Sequence, residues 1–256
     1  MSEKSNRGSN KSTNRSENKS AYKGKKSASK KYGPKNKSKN SGNKKPSVGL
    51  HFNNIEKVGK TFMYHNLSKS KCFNSNFSQS NFDFACFRGA HFKSCFFNES
   101  TFKGAEFVGS NLKDSKFINV HFENTVFEGV KLEGADFMGA TFKNVIFLGV
   151  NFEGVKNLNL ENENIRVFDD MPEIEMSSEL VELLEKAMQN KFIKSSRVLD
   201  TREGKINTLS VLILKELFEE PVLIHAFKSI EEHIDRDFYT LSFIIKLIEK
   251  LQKENH

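Results

Sequence analysis

Residues 100–154 read STFKGAEFVGSNLKDSKFINVHFENTVFEGVKLEGADFMGATFKNVIFLGVNFEG. Every fifth position is Phe or Leu, and an apolar residue keeps that spacing outward from Phe62 to Phe152 over nineteen consecutive positions, fifteen of them Phe. Two residues before each lies a small or short side chain, as at Ala105, Ser110, Ser115, Thr125, Ala135 and Ala140. Two residues after each, Gly and Asn dominate, as at Gly109, Asn119, Asn124, Gly129, Gly139 and Gly149. Neither a 3.6-residue helix nor a 2.0-residue strand holds a five-residue apolar repeat on one side. A chain that turns a corner every five residues does hold it, and the Gly/Asn register supplies the dihedrals such corners demand.

The fixed inward positions therefore predict stacked coils in which Phe lies on Phe. The core reads as Phe77, Phe82, Phe87, Phe92, Phe97, Phe102, Phe107, Leu112, Phe117, Phe122, Phe127, Leu132, Phe137, Phe142, Phe147 and Phe152. Neighbouring coils pair their backbones at about 4.8 Å.

With GADFMGATF at 134–142, the segment resembles the pentapeptide-repeat family: a small residue, a polar one, a central Leu or Phe, then two variable positions. The resemblance implies a mainly β fold, a right-handed quadrilateral β-helix with four repeats and twenty residues per coil. Nineteen repeats then make nearly five coils, a rod roughly 23 Å long at about 4.8 Å per coil. Departures from the motif fall mostly in the first coils: Cys72 at a central position, His65 at a small one, and Phe73, Phe84 and Phe96 at outward ones.

Residues twenty apart share a face on this reading. One face carries Val108, Val126, Ile146 and Leu148, and another carries Phe96, Ile118 and Met138. Apolar stripes on a polar rod call for a cover. Either the C-terminal region of this chain supplies it, or a partner or second copy does. A third face is basic early, through Lys71, Lys93, Lys113 and Lys131, and acidic late, through Glu133 and Glu153.

After Gly154 the period fails at Asn157, and helical spacing begins near Ser177. Four helices are expected, over about 178–195, 208–219, from Pro221 to Asp235, and 238–253. The domain reading is a basic tail at 1–50, the β-helix at 51–157, a linker at 158–176 and a helical region at 177–256. Solenoid ends expose apolar edges, so the helices are assigned as a C-terminal cap, with homodimerisation through them as the alternative.

Charge is uneven. The chain carries +8, yet residues 1–49 hold 15 Lys/Arg against Glu3 and Glu17, so the rest is acidic. This first stretch has almost no aliphatic residues and reads as disordered. Its Lys23, Lys25, Lys26, Lys30, Lys31, Lys35, Lys37, Lys39, Lys44 and Lys45 are candidate contacts for nucleic acid or an anionic lipid.

Signatures of chemistry are missing from the sequence. Seven His share no ligand spacing with one another or with the three Cys, and EGKINT at 203–208 lacks the upstream Gly of a phosphate loop. There is no GxSxG elbow, CxxC pair or kinase signature. The paired acids Glu219/Glu220 and Glu231/Glu232 read as charged helix faces. The expectation is a protein without catalysis, metal, cofactor or small-molecule substrate. An odd set of three Cys fits a reducing compartment. Without a membrane-length apolar run or an apolar leader at the N-terminus, a cytoplasmic location is expected.

The functional expectation is a rigid interaction module that presents flat faces to a protein partner. Attachment to nucleic acid or an anionic membrane through the tail is one alternative. Another, implied by the resemblance, is DNA mimicry directed at gyrase or topoisomerase, as in quinolone-resistance proteins. Duplex DNA carries one charge per about 1.7 Å, so a mimic of this length needs roughly a dozen surplus acids. Residues 50–155 hold 11 Lys/Arg and 10 Asp/Glu, which disfavours mimicry.

Overall fold

The computed structural model describes residues 49–254. Ten short strands and five α-helices follow one another in that span. The strands are β1 (His51–Asn53), β2 (Lys71–Phe73), β3 (His91–Lys93), β4 (Thr101–Lys103), β5 (Glu106–Val108), β6 (His121–Glu123), β7 (Val126–Glu128), β8 (Thr141–Lys143), β9 (Val145–Leu148) and β10 (Ile165–Phe168). All pairings between these strands are parallel and every register step is twenty residues, as in Phe102↔Phe122↔Phe142 and Phe107↔Phe127↔Phe147. Three sheets result, β1-β2-β3, β4-β6-β8 and β5-β7-β9-β10. Single bridges Glu56↔Asn76↔Phe96↔Lys116↔Asp136↔Lys156 run up the remaining side. The chain is a β-solenoid of about six turns with C-terminal helices.

The inward side chains form columns. Phe62, Phe82, Phe102, Phe122 and Phe142 stack nearly parallel, with centroids 4.8, 5.0, 5.3 and 5.5 Å apart. Phe87, Phe107, Phe127 and Phe147 stack at 4.4, 4.8 and 4.7 Å. Phe77, Phe97, Phe117 and Phe137 make a third column at 5.6, 5.2 and 5.1 Å. Rings of adjacent columns meet edge to face, as for Phe97 and Phe102 at 71°, the arrangement an aromatic quadrupole prefers. Cys72, Phe92, Leu112 and Leu132 fill the fourth column and are also buried.

The small register is buried for a polar reason. Ser100 Oγ donates to the Phe77 carbonyl at 3.1 Å, Ser115 Oγ to Phe92 at 2.5 Å and Thr125 Oγ1 to Phe102 at 2.5 Å, each one coil back. At these three positions a short hydroxyl satisfies itself inside the core, where a larger side chain would collide with the next coil; the Ser110 hydroxyl is buried without such a partner.

Four features depart from expectation. The path begins at β1 and ends at β10, so the six coils span about 29 Å at 4.8 Å each, not 23 Å. β10 lies inside 158–176, the stretch expected to be a linker, and pairs Arg166 with Ile146. Phe142 and Phe152 are half-buried because too little of a further coil lies over them. The helices run along a side of the solenoid from Gly104 to Leu148, so they cover a face and are not a plug on its end.

The helices are α1 (Ser178–Ala187), α2 (Lys191–Ser196), α3 (Thr208–Leu217), α4 (Glu220–Ser229) and α5 (Leu241–Glu254), with a 3₁₀ turn at Ile230–His233. Ser177 caps α1 by accepting the Leu180 amide. The single helix expected over 178–195 is broken, because Asn190 caps α2 by accepting the amides of Phe192 and Ile193. Leu180, Leu184, Leu223, Phe227, Ile230, Ile244, Ile248 and Leu251 form a separate apolar core.

Candidate interaction surfaces

The face outside the Phe107 column is where solenoid and helices meet. Its outward positions in the last coils are apolar, and Ile146 and Leu148 bury against Leu209 of α3, with Val126, Phe168 and Leu212 around them. Val108 is buried on the same face. Of the residues expected to need a cover, these four lie on the face the helices occupy.

Toward the early coils the seam turns polar. The Leu241 amide, at the start of α5, donates to Glu106 Oε1 at 2.6 Å. Burial pushes the Glu106 carboxyl up to about 7; the Leu241 amide and Arg88 pull it back, and Glu128 adds to the rise. Burial also raises Glu128, against the pull of Arg88 and Arg202. Arg88 Nη2 donates to the Arg197 carbonyl at 3.2 Å. Lys246 of α5 donates to Tyr64 Oη at 2.6 Å and sits 4.8 and 4.2 Å from the stacked rings of Tyr64 and Phe84. Arg166 and Glu216 close the far end. Along the rim runs a groove of about 470 Å³, lined by Phe84, Val126, Ile146, Leu217, Ile245 and Lys246 among others.

The sequence reading missed this polar seam. Its signal was present: Glu106 and Arg88 are charged residues on a face whose later coils turn apolar.

Among the described residues the other three faces carry no helix. Outside the Phe117 column, Phe96 is 38% exposed and Met138 54%, with Ile118 half-buried between them. Lys116 and Asp136 pair at 3.1 Å on this face. Outside the Phe102 column, Glu123 is bracketed by Lys103 at 3.3 Å and Lys143 at 3.2 Å. Outside the Phe92 column lie Lys71, Phe73, His91 and Lys93. The ten candidate lysines from Lys23 to Lys45 fall outside the described residues.

Chemistry is sparse. Among the described residues no group of three or more His, Cys, Asp or Glu could hold a metal ion. The cysteines are buried and unbridged. Burial pushes Cys95 up to about 12 and Cys72 up to about 11, and raises Cys86 as well. All three stay thiols at neutral pH, which removes their nucleophilic form. Among the described residues, no helix is long and apolar enough to cross a membrane.

Comparison with known proteins bears on the solenoid. Residues 70–156 match the family model described as pentapeptide repeat region. No curated protein matches the chain. Solved structures with similarity include Rfr23, a pentapeptide repeat protein of the cyanobacterium Cyanothece 51142, at 18% identity over 47% of this chain and 85% of that one, with a TM-score of 0.29. HetL, a pentapeptide repeat protein involved in heterocyst differentiation regulation in Nostoc sp. strain PCC 7120, matches at 18% identity over 39% of this chain and 44% of its own, with a TM-score of 0.23. QnrB1, a plasmid-mediated fluoroquinolone resistance protein, matches at 12% identity over 54% and 99%, with a TM-score of 0.21.

Proposed function

Residues 70–156 are a pentapeptide repeat region, and from that premise we propose that the chain is a non-catalytic interaction module whose free solenoid face docks a protein partner. The observation that carries this reading is an asymmetry between two apolar stripes. The stripe Val108–Val126–Ile146–Leu148 is covered by the chain's own α3. The stripe Phe96–Ile118–Met138 is left open, with Met138 the most exposed large apolar side chain among the described residues. Large rings and thioethers at the centre of a patch, flanked by the ion-paired Lys116 and Asp136, have the composition of an interface centre with a polar rim.

A strand face at fixed register is a rigid surface, so little entropy is lost in ordering it on binding. The partner class is a protein that presents apolar side chains to this stripe. The raised thiols, held in their weakly nucleophilic form, support binding over thiol-based turnover. The test is affinity capture from the native host with the full chain, compared with Phe96→Ser/Met138→Asp. A partner held by the wild type and lost by the double variant supports the reading. Identical capture by both, or turnover of a substrate by the purified protein, contradicts it.

A further inference from the structure

We propose that the face outside the Phe92 column, in its first three coils, is a track for single-stranded nucleic acid. The face is distinct from the protein-docking stripe above and does not depend on it.

The first coil fixes the geometry. The Leu50 amide donates to Ser70 Oγ at 2.8 Å, and the Lys71 amide donates to the Leu50 carbonyl at 2.7 Å. Leu50 is thereby held beside Lys71, and in sequence it follows a stretch of 48 residues with 15 Lys/Arg and two acids. In parallel register, Lys71 sits between His51 and His91, and Phe73 sits between Asn53 and Lys93. None of these six outward residues is an acid.

Four lysines of the later coils are neutralised locally. Lys103 and Lys143 share Glu123, Lys113 has Glu133, and Lys116 has Asp136. Among the described residues no carboxylate lies within ion-pair distance of Lys69, Lys71 or Lys93, and Glu133, which pairs with Lys113, reaches Lys93 only at longer range. Residues 49–95 hold six Lys/Arg and two acids, so the first 95 residues carry 21 basic groups against four acids and the remainder 19 against 28. Unpaired cations in a row attract a phosphate backbone and release its counterions.

An exposed ring points to a single strand. Phe73 is 41% exposed, and Lys93 Nζ lies 6.0 Å from its ring centre. A ring open to solvent and edged by cations is the stacking element of single-strand binders. Asn74 donates to Asn54 Oδ1 at 2.8 Å along the adjacent corner, so polar amides border the ring. That border favours bases and sugars over lipid tails, since insertion into a membrane calls for an apolar wedge.

The experiment measures anisotropy of a fluorescein-labelled twenty-mer of deoxythymidine with the full chain, between 50 and 200 mM NaCl. Lys69→Glu/Lys71→Glu/Lys93→Glu is compared with Lys191→Glu/Lys194→Glu/Lys253→Glu, which makes the same charge change on exposed helix positions. The face variant is expected to bind at least tenfold more weakly than the helix variant. Its salt slope should fall by about 2, three contacts at roughly 0.7 each. Phe73→Ala should weaken the single strand several-fold and leave a duplex of equal length within twofold. The corresponding Lys→Gln set, checked by circular dichroism, should move in the same direction and so separates lost contact from lost fold. Equal loss in the two charge variants overturns the proposal, because net charge alone then explains binding. No binding by the wild type at 50 mM overturns it too, as does capture by phosphatidylserine vesicles without capture of the oligonucleotide.

Discussion

Glu106 and Leu241 lie 135 residues apart in the chain, and the carboxylate of the first accepts the amide of the second at 2.6 Å. A strand residue of the solenoid thereby serves an orphan N–H in the first turn of α5, and it does so from a buried position that raises its pKa to about 7.

The sign of the resulting pH dependence follows. A raised carboxyl binds its proton more tightly in the docked fold than in the unfolded chain. Its ionisation therefore costs nothing below about pH 4.5, and the cost grows to its full value as pH rises through about 7. Glu106→Gln keeps an acceptor for Leu241 and removes the titration. Wild type minus variant unfolding free energy should fall by roughly 2 kcal/mol between pH 5 and 8, counting one to two pK units at about 1.4 each. A flat difference would mean that Glu106 is solvated.

Core columns predict a gradient along the rod. Phe102 stacks on Phe82 and Phe122 and is fully buried, so Phe102→Ala should cost about 3–5 kcal/mol in denaturant unfolding. Phe152 is half-buried beyond Phe147, and Phe152→Ala should cost less than half as much. Equal costs would contradict a stack with an open end.

Gly104 and Gly129 separate two roles of a positive φ. They have φ +59° and +58°, and only Gly104 has a neighbour where a Cβ would go: Ser242 Oγ at 2.7 Å and the Phe84 ring at 2.8 Å. Both Ala variants carry the left-handed cost of about 1–2 kcal/mol. Gly104→Ala should lose a further ~1–3 kcal/mol by crowding α5, with faster amide exchange in Leu241–Glu254 that Gly129→Ala does not cause.

Ile146 and Leu209 hold α3 on the solenoid. Ile146→Asp places an unpaired charge in that contact and should raise exchange throughout Thr208–Leu217 while the strands stay protected. Loss of both together would make the two parts one cooperative unit.

The five-residue period carried most of the fold in plain view, because one central ring per corner decides inside from outside without help from distant residues. The two apolar stripes were visible for the same reason. What covers each stripe was not, since a helix's place on a rod depends on contacts between segments far apart, such as Leu209 on Ile146. β10 escaped because Asn157 and Asn162 break the central register, although Val167 at the central position and Ile165 two before it resume the pattern. The polar seam escaped because Glu106 reads as solvated until Leu241 lies over it.

The central claim is that one apolar stripe is sealed by the chain's own helices and the other is open. Carbene footprinting of the dilute full-length protein tests it most directly. Phe96 and Met138 should label heavily, and Val108, Ile146 and Leu148 should stay protected. Heavy labelling of Ile146 and Leu148, or protection of Phe96 and Met138, would contradict the account.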